Sequence, residues 1–266
     1  MPTAEASGDY GDDLRLALFL ADAADVISAA RFGAVDLTVD TKPDLTPVSD
    51  ADRAVEELVR AKLGEERPDD AVSGEEFGST GSGDRRWVID PIDGTKNFVR
   101  GVPVWATLLA LLDGEDPVVG VVSAPALGRR WWSARGAGAW ATALGSPPRP
   151  IRVSAVRDLA DASLSYASVA AWQVAGRGDA FLALAGAVWR TRAYGDFWSY
   201  MLIAEGAVDL AAEPELSIWD MAAPAAILAE AGGRFSGLNG VDGPHQGDAA
   251  ASNGLLHEAL LTALRS

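Results

Sequence analysis

The chain has 266 residues, a formal net charge of −16 and 48% hydrophobic residues. Such an acidic surface repels nucleic-acid phosphates and anionic membranes. The absence of cysteine removes disulfides, thiolate metal ligands and a cysteine nucleophile. His245 and His257 are the only histidines, which argues against a zinc site built on several imidazoles; a bound metal would need oxygen ligands, as magnesium, manganese or calcium accept.

Residues 1–11 read as a disordered polar tail, and residues 1–13 carry no basic stretch ahead of an apolar one. No apolar run is long enough to span a bilayer, so a cytoplasmic protein is expected. From Asp12 to Arg31, apolar residues recur at helical spacing. Val35, Leu37 and Val39 alternate with polar residues and predict a strand; Thr41 to Val48, punctuated by Pro43 and Pro47, predicts a loop. Ser49, with Asp52 three residues on, predicts a capped helix that Gly64 ends.

Trp87-Val88-Ile89 predicts a short buried strand running into Asp90, stopped by Pro91, with a helix opening near Thr95. Strands are expected over 104–112 and 117–123, joined by a turn at Asp113 to Asp116. Pro147-Pro148-Arg149-Pro150 is the most linker-like stretch. It divides the chain into an N-terminal α+β half, 12–146, and a C-terminal α/β half, 147–266. In the second half, strands are expected at 163–168, 188–193 and 207–212. Helices are expected at 179–187, 196–205 and 220–231, with another after Asn253. Strands interleaved with helices indicate α/β or α+β, with helices packed on sheet faces.

Four acidic elements carry the chemistry. In Asp90-Pro91-Ile92-Asp93-Gly94-Thr95, two aspartates flank a proline at a strand end. They offer carboxylates to cations, while Gly94 and a helix start at Thr95 offer amides to a phosphate, and the Ile92 carbonyl is a neutral ligand. Asp-Pro and Asp-Gly alone would mark ordinary turns. Of Glu75 and Glu76, an extended segment sends one to each face, so at most one joins a given site. Asp220, after Trp219, sits at a helix start, where an N-cap is the plain structural role. Asp44, Thr46 and Asp50 form a loop whose plain role is capping and turn chemistry.

Taken together, Glu75, the string DPIDGT and the string WDMAA resemble the inositol monophosphatase family, whose signatures are D-P-[IL]-D-G-T and W-D-x-[AG]-[AG]. The likeness runs from about Asp12 to Leu264. It implies an α+β layered sandwich of alternating helix and sheet layers, a homodimer, and a hydrolase of small phosphate esters using two or three magnesium ions, with manganese as the alternative. Glu75, Asp90 and the Ile92 carbonyl would hold one ion, and Asp90, Asp93 and Asp220 a second. Asp50 would orient Thr95 to activate water, and the amides of Gly94 and Thr95 would bind the phosphate.

Arg192, Asp196 and Glu213 would face the leaving alcohol, where two carboxylates suit a cation better than a neutral polyol. Arg192-Ala193-Tyr194-Gly195-Asp196-Phe197, with Thr95 to Gly101, Val102 to Trp105 and Arg129 to Trp132, is similar to the actinobacterial histidinol-phosphatase branch of that family. The resemblance therefore implies L-histidinol phosphate as substrate, a step of histidine biosynthesis. Inositol phosphate is the alternative within the family, and a non-catalytic binding protein is the alternative outside it. Trp131, Trp132 and Trp198 are expected to fill the core or a subunit interface, and neither histidine is given a catalytic role.

Overall fold

The computed structural model describes residues 10–43 and 45–265. Most of the expected 1–11 tail, and Asp44, lie outside those residues. In chain order the first half has α1 (Gly11–Arg31), β1 (Val39–Thr41), β2 (Pro47–Ser49), α2 (Asp50–Glu66), β3 (Ala71–Gly74), β4 (Gly78–Thr80), β5 (Arg85–Asp93), α3 (Thr95–Val99), β6 (Ala106–Asp113), β7 (Asp116–Ala124), β8 (Arg129–Ala134), β9 (Ala139–Ala143) and β10 (Arg149–Pro150). The second half has β11 (Ser163–Ser165), α4 (Val169–Val174), α5 (Gly178–Ala187), β12 (Arg190–Arg192), α6 (Asp196–Ala204), β13 (Leu210–Glu213), α7 (Ile218–Glu230), β14 (Arg234–Ser236), β15 (Ala249–Ser252) and α8 (His257–Arg265).

Eight strands form one sheet in the order β10-β9-β8-β7-β6-β5-β3-β4, antiparallel except where β3 runs parallel to β5. A five-stranded sheet runs β12-β11-β13-β15-β14, parallel across its first three strands. Strand alternation sorts the large sheet into two buried faces. Trp87, Ile89, Leu109, Leu111 and Trp132 pack under α1 and α2. Val88, Leu108, Ala110 and Trp131 face the other way, onto α6, α7 and one face of the small sheet. The small sheet's far face, Leu164, Leu210 and Ala212, is covered by α4, α5 and α8 through Trp172, Phe181 and Leu260. The result is five layers, alternating helix and sheet. Gly120 of β7 lets α7 lie close: a Cβ there would stand 2.6 Å from the Ala223 carbonyl oxygen.

Several local expectations are corrected. Val35 and Leu37 lie in turns closed by Ala34 N–H to Arg31 O and Leu37 N–H to Ala34 O; the strand begins at Val39 and pairs with Pro47–Ser49 inside the expected loop. The α2 helix runs through Gly64 to Glu66. Pro91 does not stop β5, which continues to Asp93 past a register shift. Strands β8 and β9 were not expected. Among the described residues no helix is long and apolar enough to cross a membrane.

Candidate metal and phosphate site

The site is assembled where β3 and β5 end beside the starts of α3, α6 and α7. Asp90 and Asp93 are three positions apart, a spacing that sends side chains to opposite faces of a regular strand. The irregularity of β5 against β6 falls between them and brings both to one side. Asp220, the third residue of α7, joins them: one carboxylate oxygen from each of the three lies within 4.8 Å of the others. Its Oδ2 accepts from the Ser217 N–H at 2.7 Å, so it closes a capping box instead of serving as the N-cap itself.

Glu75 follows β3, its N–H donating to the Ile89 carbonyl at 3.2 Å. The segment is a turn, not extended, so both Glu75 and Glu76 reach the Lys42 ammonium, at 2.6 and 2.7 Å. Nothing in the sequence marks the anchor of this turn. Glu56 of α2, fully buried, accepts from the N–H groups of Glu76 at 2.8 Å and Phe77 at 3.2 Å, and pairs with Arg60. Gly74 leaves room for it: a Cβ there would stand 2.1 Å from Glu56 Oε1, so the Glu56 carboxylate would have to shift.

The carboxylates repel one another. Burial first, then the charges of Glu75, Asp93 and Asp220, push Asp90 well above the usual carboxylate range. Burial, Asp196 and Asp220 do the same to Asp93, against the Phe197 N–H that its Oδ2 accepts at 2.6 Å. Asp220 is pushed up to about 7 by burial, which the Ser217 N–H opposes. Glu75 is raised by burial against the pull of Lys42. Asp90 Oδ1 is buried without a hydrogen-bond partner. An all-oxygen donor set, mutually destabilised and with a buried oxygen left unsatisfied, fits a divalent cation.

Thr95 opens α3 behind Gly94 (φ 83°). Its hydroxyl is 2.9 Å from the Ile92 carbonyl and 3.3 Å from Asp52 Oδ1. The carboxylate facing Thr95 is therefore Asp52, not Asp50, whose carboxylate is held by Arg31 at 2.7 and 3.2 Å. Asp52 is fully buried, and its second oxygen accepts from the N–H and hydroxyl of Ser49 at 2.8 and 2.5 Å. Its position in the capping box was legible; its second contact was not.

A cleft of about 540 Å³ opens over these groups, lined among others by Thr95, Tyr194, Asp196, Trp219 and Asp220. Asp196 accepts from the Asn97 side-chain amide. Glu213, at the end of β13, is buried beside Asp196 and Asp220 and is pushed up to about 8 by burial and by their charges; its Oε1 has no partner. Arg192 is not brought to the cleft. It is exposed on edge strand β12, donating to the Thr191 carbonyl. Trp131 and Trp132 are buried on opposite faces of the large sheet. His245 bonds the Glu115 carbonyl and His257 lies between Ser236 and Ser252, both away from the cleft.

The model of the family described as "Inositol monophosphatase family" matches residues 15–266. The chain is 62% identical over 257 residues to a Streptomyces coelicolor protein named histidinol-phosphatase, covering 95% of this chain and 97% of that one. It is 60% identical over 256 residues to a Mycobacterium tuberculosis protein of the same name, with 96% and 98% covered. Its fold is similar to that of an inositol monophosphatase from Zymomonas mobilis, with a TM-score of 0.86 at 32% identity and 98% and 100% coverage.

Proposed function

The chain belongs to the inositol monophosphatase family, and from that premise we propose that it is a magnesium-dependent phosphatase converting L-histidinol phosphate to L-histidinol and phosphate. The observation that carries the chemistry is the meeting of buried Asp90 and Asp93 with part-buried Asp220, Glu75 alongside. Glu75, Asp90, Asp93, Asp220 and the Ile92 carbonyl would hold the ions. Bound magnesium supplies charge that offsets the carboxylates and the phosphate dianion, polarises the ester and makes water acidic enough to attack near neutrality.

The chain's own groups orient that attack. The Thr95 hydroxyl, donating to Asp52 or to the Ile92 carbonyl, keeps a lone pair for the incoming water's proton, and Asp52 is the base that draws the Thr95 proton away. The amides of Gly94 and Thr95 hold phosphoryl oxygens. Asp196, on the cleft wall with Glu213 buried behind it, gives the leaving-group end negative character, which favours an alcohol bearing an ammonium and an imidazole. The two relatives above 60% identity, both named histidinol-phosphatase, support the same choice. A homodimer in the cytoplasm belongs to this reading, and sedimentation checks the dimer.

The test compares kcat/KM for L-histidinol phosphate and myo-inositol 1-phosphate, with magnesium and with excess chelator. A preference for the inositol ester overturns the substrate, and an unchanged rate in chelator overturns the metal. Asp90→Asn should cut turnover by more than the ~100-fold that outer partners of metal ligands cost. Wild-type turnover in that variant overturns the ligand role.

A further inference from the structure

Asn97, in the first turn of α3, has no part in the chemistry above. Its side-chain amide nitrogen donates to the Val104 carbonyl at 2.9 Å and to Asp196 Oδ2 at 3.0 Å. Both partners are acceptors, so the chemistry itself fixes which end of the amide faces them, and both N–H bonds are used. Aspartate has no donor to offer there, and alanine reaches neither partner.

Asp196 is held unusually at the other end. It is a non-glycine residue with φ 50°, in the left-handed region, where a residue persists only if its surroundings over-determine it. Its packing is equally constrained: a Cβ on Gly94 would stand 2.9 Å from the Val104 carbonyl oxygen and 3.3 Å from Asp196 Oδ2. Gly94, Asn97, Val104 and Asp196 thus meet in one close contact joining the phosphate loop to the start of α6. Asn97 engages Oδ2 alone, which leaves Oδ1 of a cleft-lining carboxylate for a donor in the cleft.

We infer that Asn97 is a specificity-positioning residue: by fixing the Asp196 carboxylate across the gap between α3 and α6, it presents that carboxylate to the cationic leaving alcohol. The inference rests on the proposed substrate class. Asn97 acts on discrimination between alcohols, through Asp196, and not on the phosphoryl end.

The test measures kcat/KM for L-histidinol phosphate and for myo-inositol 1-phosphate in wild type, Asn97→Ala, Asp196→Ala and the double variant. Asn97→Ala should lower the wild-type preference for the histidinol ester about tenfold, the size of a lost hydrogen bond to a charged group, mainly through KM. The double variant should show no lower preference than Asp196→Ala alone. Asn97→Asp, of nearly the same volume, should lose at least as much and serves if the alanine variant does not fold. An equal fall for both esters, or the same further loss in the Asp196→Ala background, overturns the inference and leaves the proposed substrate standing. A wild-type preference for the inositol ester overturns both.

Discussion

Stripping the cations should make the stability of this protein fall with rising pH across the neutral range. In the metal-free fold Asp220 is pushed up to about 7 and Glu213 to about 8, from 3.8 and 4.5. Burial is the first cause for both; Glu75 and Asp196 add to Asp220, and Asp196 and Asp220 add to Glu213. Between the two sets of values the folded chain holds protons that the unfolded chain has released. The contribution to stability is therefore complete below about pH 4 and is lost as the pH rises through 7 and then 8. One carboxyl raised by roughly three units accounts for up to about 4 kcal/mol. Against a total of about 5–15 kcal/mol, that is a large fraction of the stability. Between about pH 6.5 and about pH 8 the two groups together lose about 2 kcal/mol, which for a chain of this size is a fall in melting temperature of roughly 6 °C. The assay is thermal unfolding followed by circular dichroism from about pH 6.5 to about pH 8, in EDTA and in excess magnesium chloride. That window lies above the range in which His257 contributes. A flat or rising melting temperature in EDTA, or the same slope with magnesium present, refutes the reasoning.

Steady-state phosphate release should separate two neighbouring aspartates. Asp52→Asn should lower kcat by ~10²–10⁴-fold, as loss of a general base does, while Asp50→Asn weakens a part-exposed pair with Arg31 worth about 0–1 kcal/mol and a long bond from the Thr38 N–H, away from the cleft; the reverse order would restore Asp50 to the site. Gly74→Ala forces a methyl group against Glu56, which holds the Glu75 turn. Magnesium affinity measured by calorimetry should weaken by ~10–100-fold in a folded protein, and an unchanged affinity would show that the turn does not set the ligand. His257 is lowered to about 4 by burial and by Arg234, so it stays neutral between Ser236 and Ser252. The unfolded chain takes up a proton below about pH 6.5 and the fold does not, so roughly 2 kcal/mol is lost as the pH falls from 6.5 to 4, after allowance for solvent screening. His257→Gln should remove that part of the slope in magnesium-saturated melts, and superimposed wild-type and variant profiles would contradict it.

The strings around Asp90 and Asp220 made the acidic cluster legible, because their chemistry is local. The rest depended on non-local facts. Asp52 was recognised as a cap, and its one visible duty hid the other: Oδ2 closes α2 while Oδ1 faces Thr95, 43 positions away. Val35, Leu37 and Val39 alternate as a strand should, yet Gly33 (φ 72°) and two successive turns break the run before Val39. Strand β8 escaped notice because it is buried on both faces: Trp131 packs into one core and Trp132 into the next, so no polar alternation marks it. Gly64 sits inside α2 at a cost of about 1 kcal/mol that helix packing absorbs. Arg192 had the right charge and neighbourhood in the sequence, but edge strand β12 leaves it in solvent.

Asp220 stands 130 positions after Asp90, on a helix laid tightly against β7 where Gly120 leaves room. A chain still emerging from the ribosome would own Glu75, Asp90 and Asp93 long before it owned the residue that completes the set. On the proposed reading, cations meet a complete set of carboxylates only once α7 has docked. Contacts made after the rate-limiting step leave the folding rate nearly unchanged and slow unfolding instead. If α7 docks after that step, the proposed magnesium would act as a latch, lengthening the lifetime of the folded chain far more than it hastens its formation.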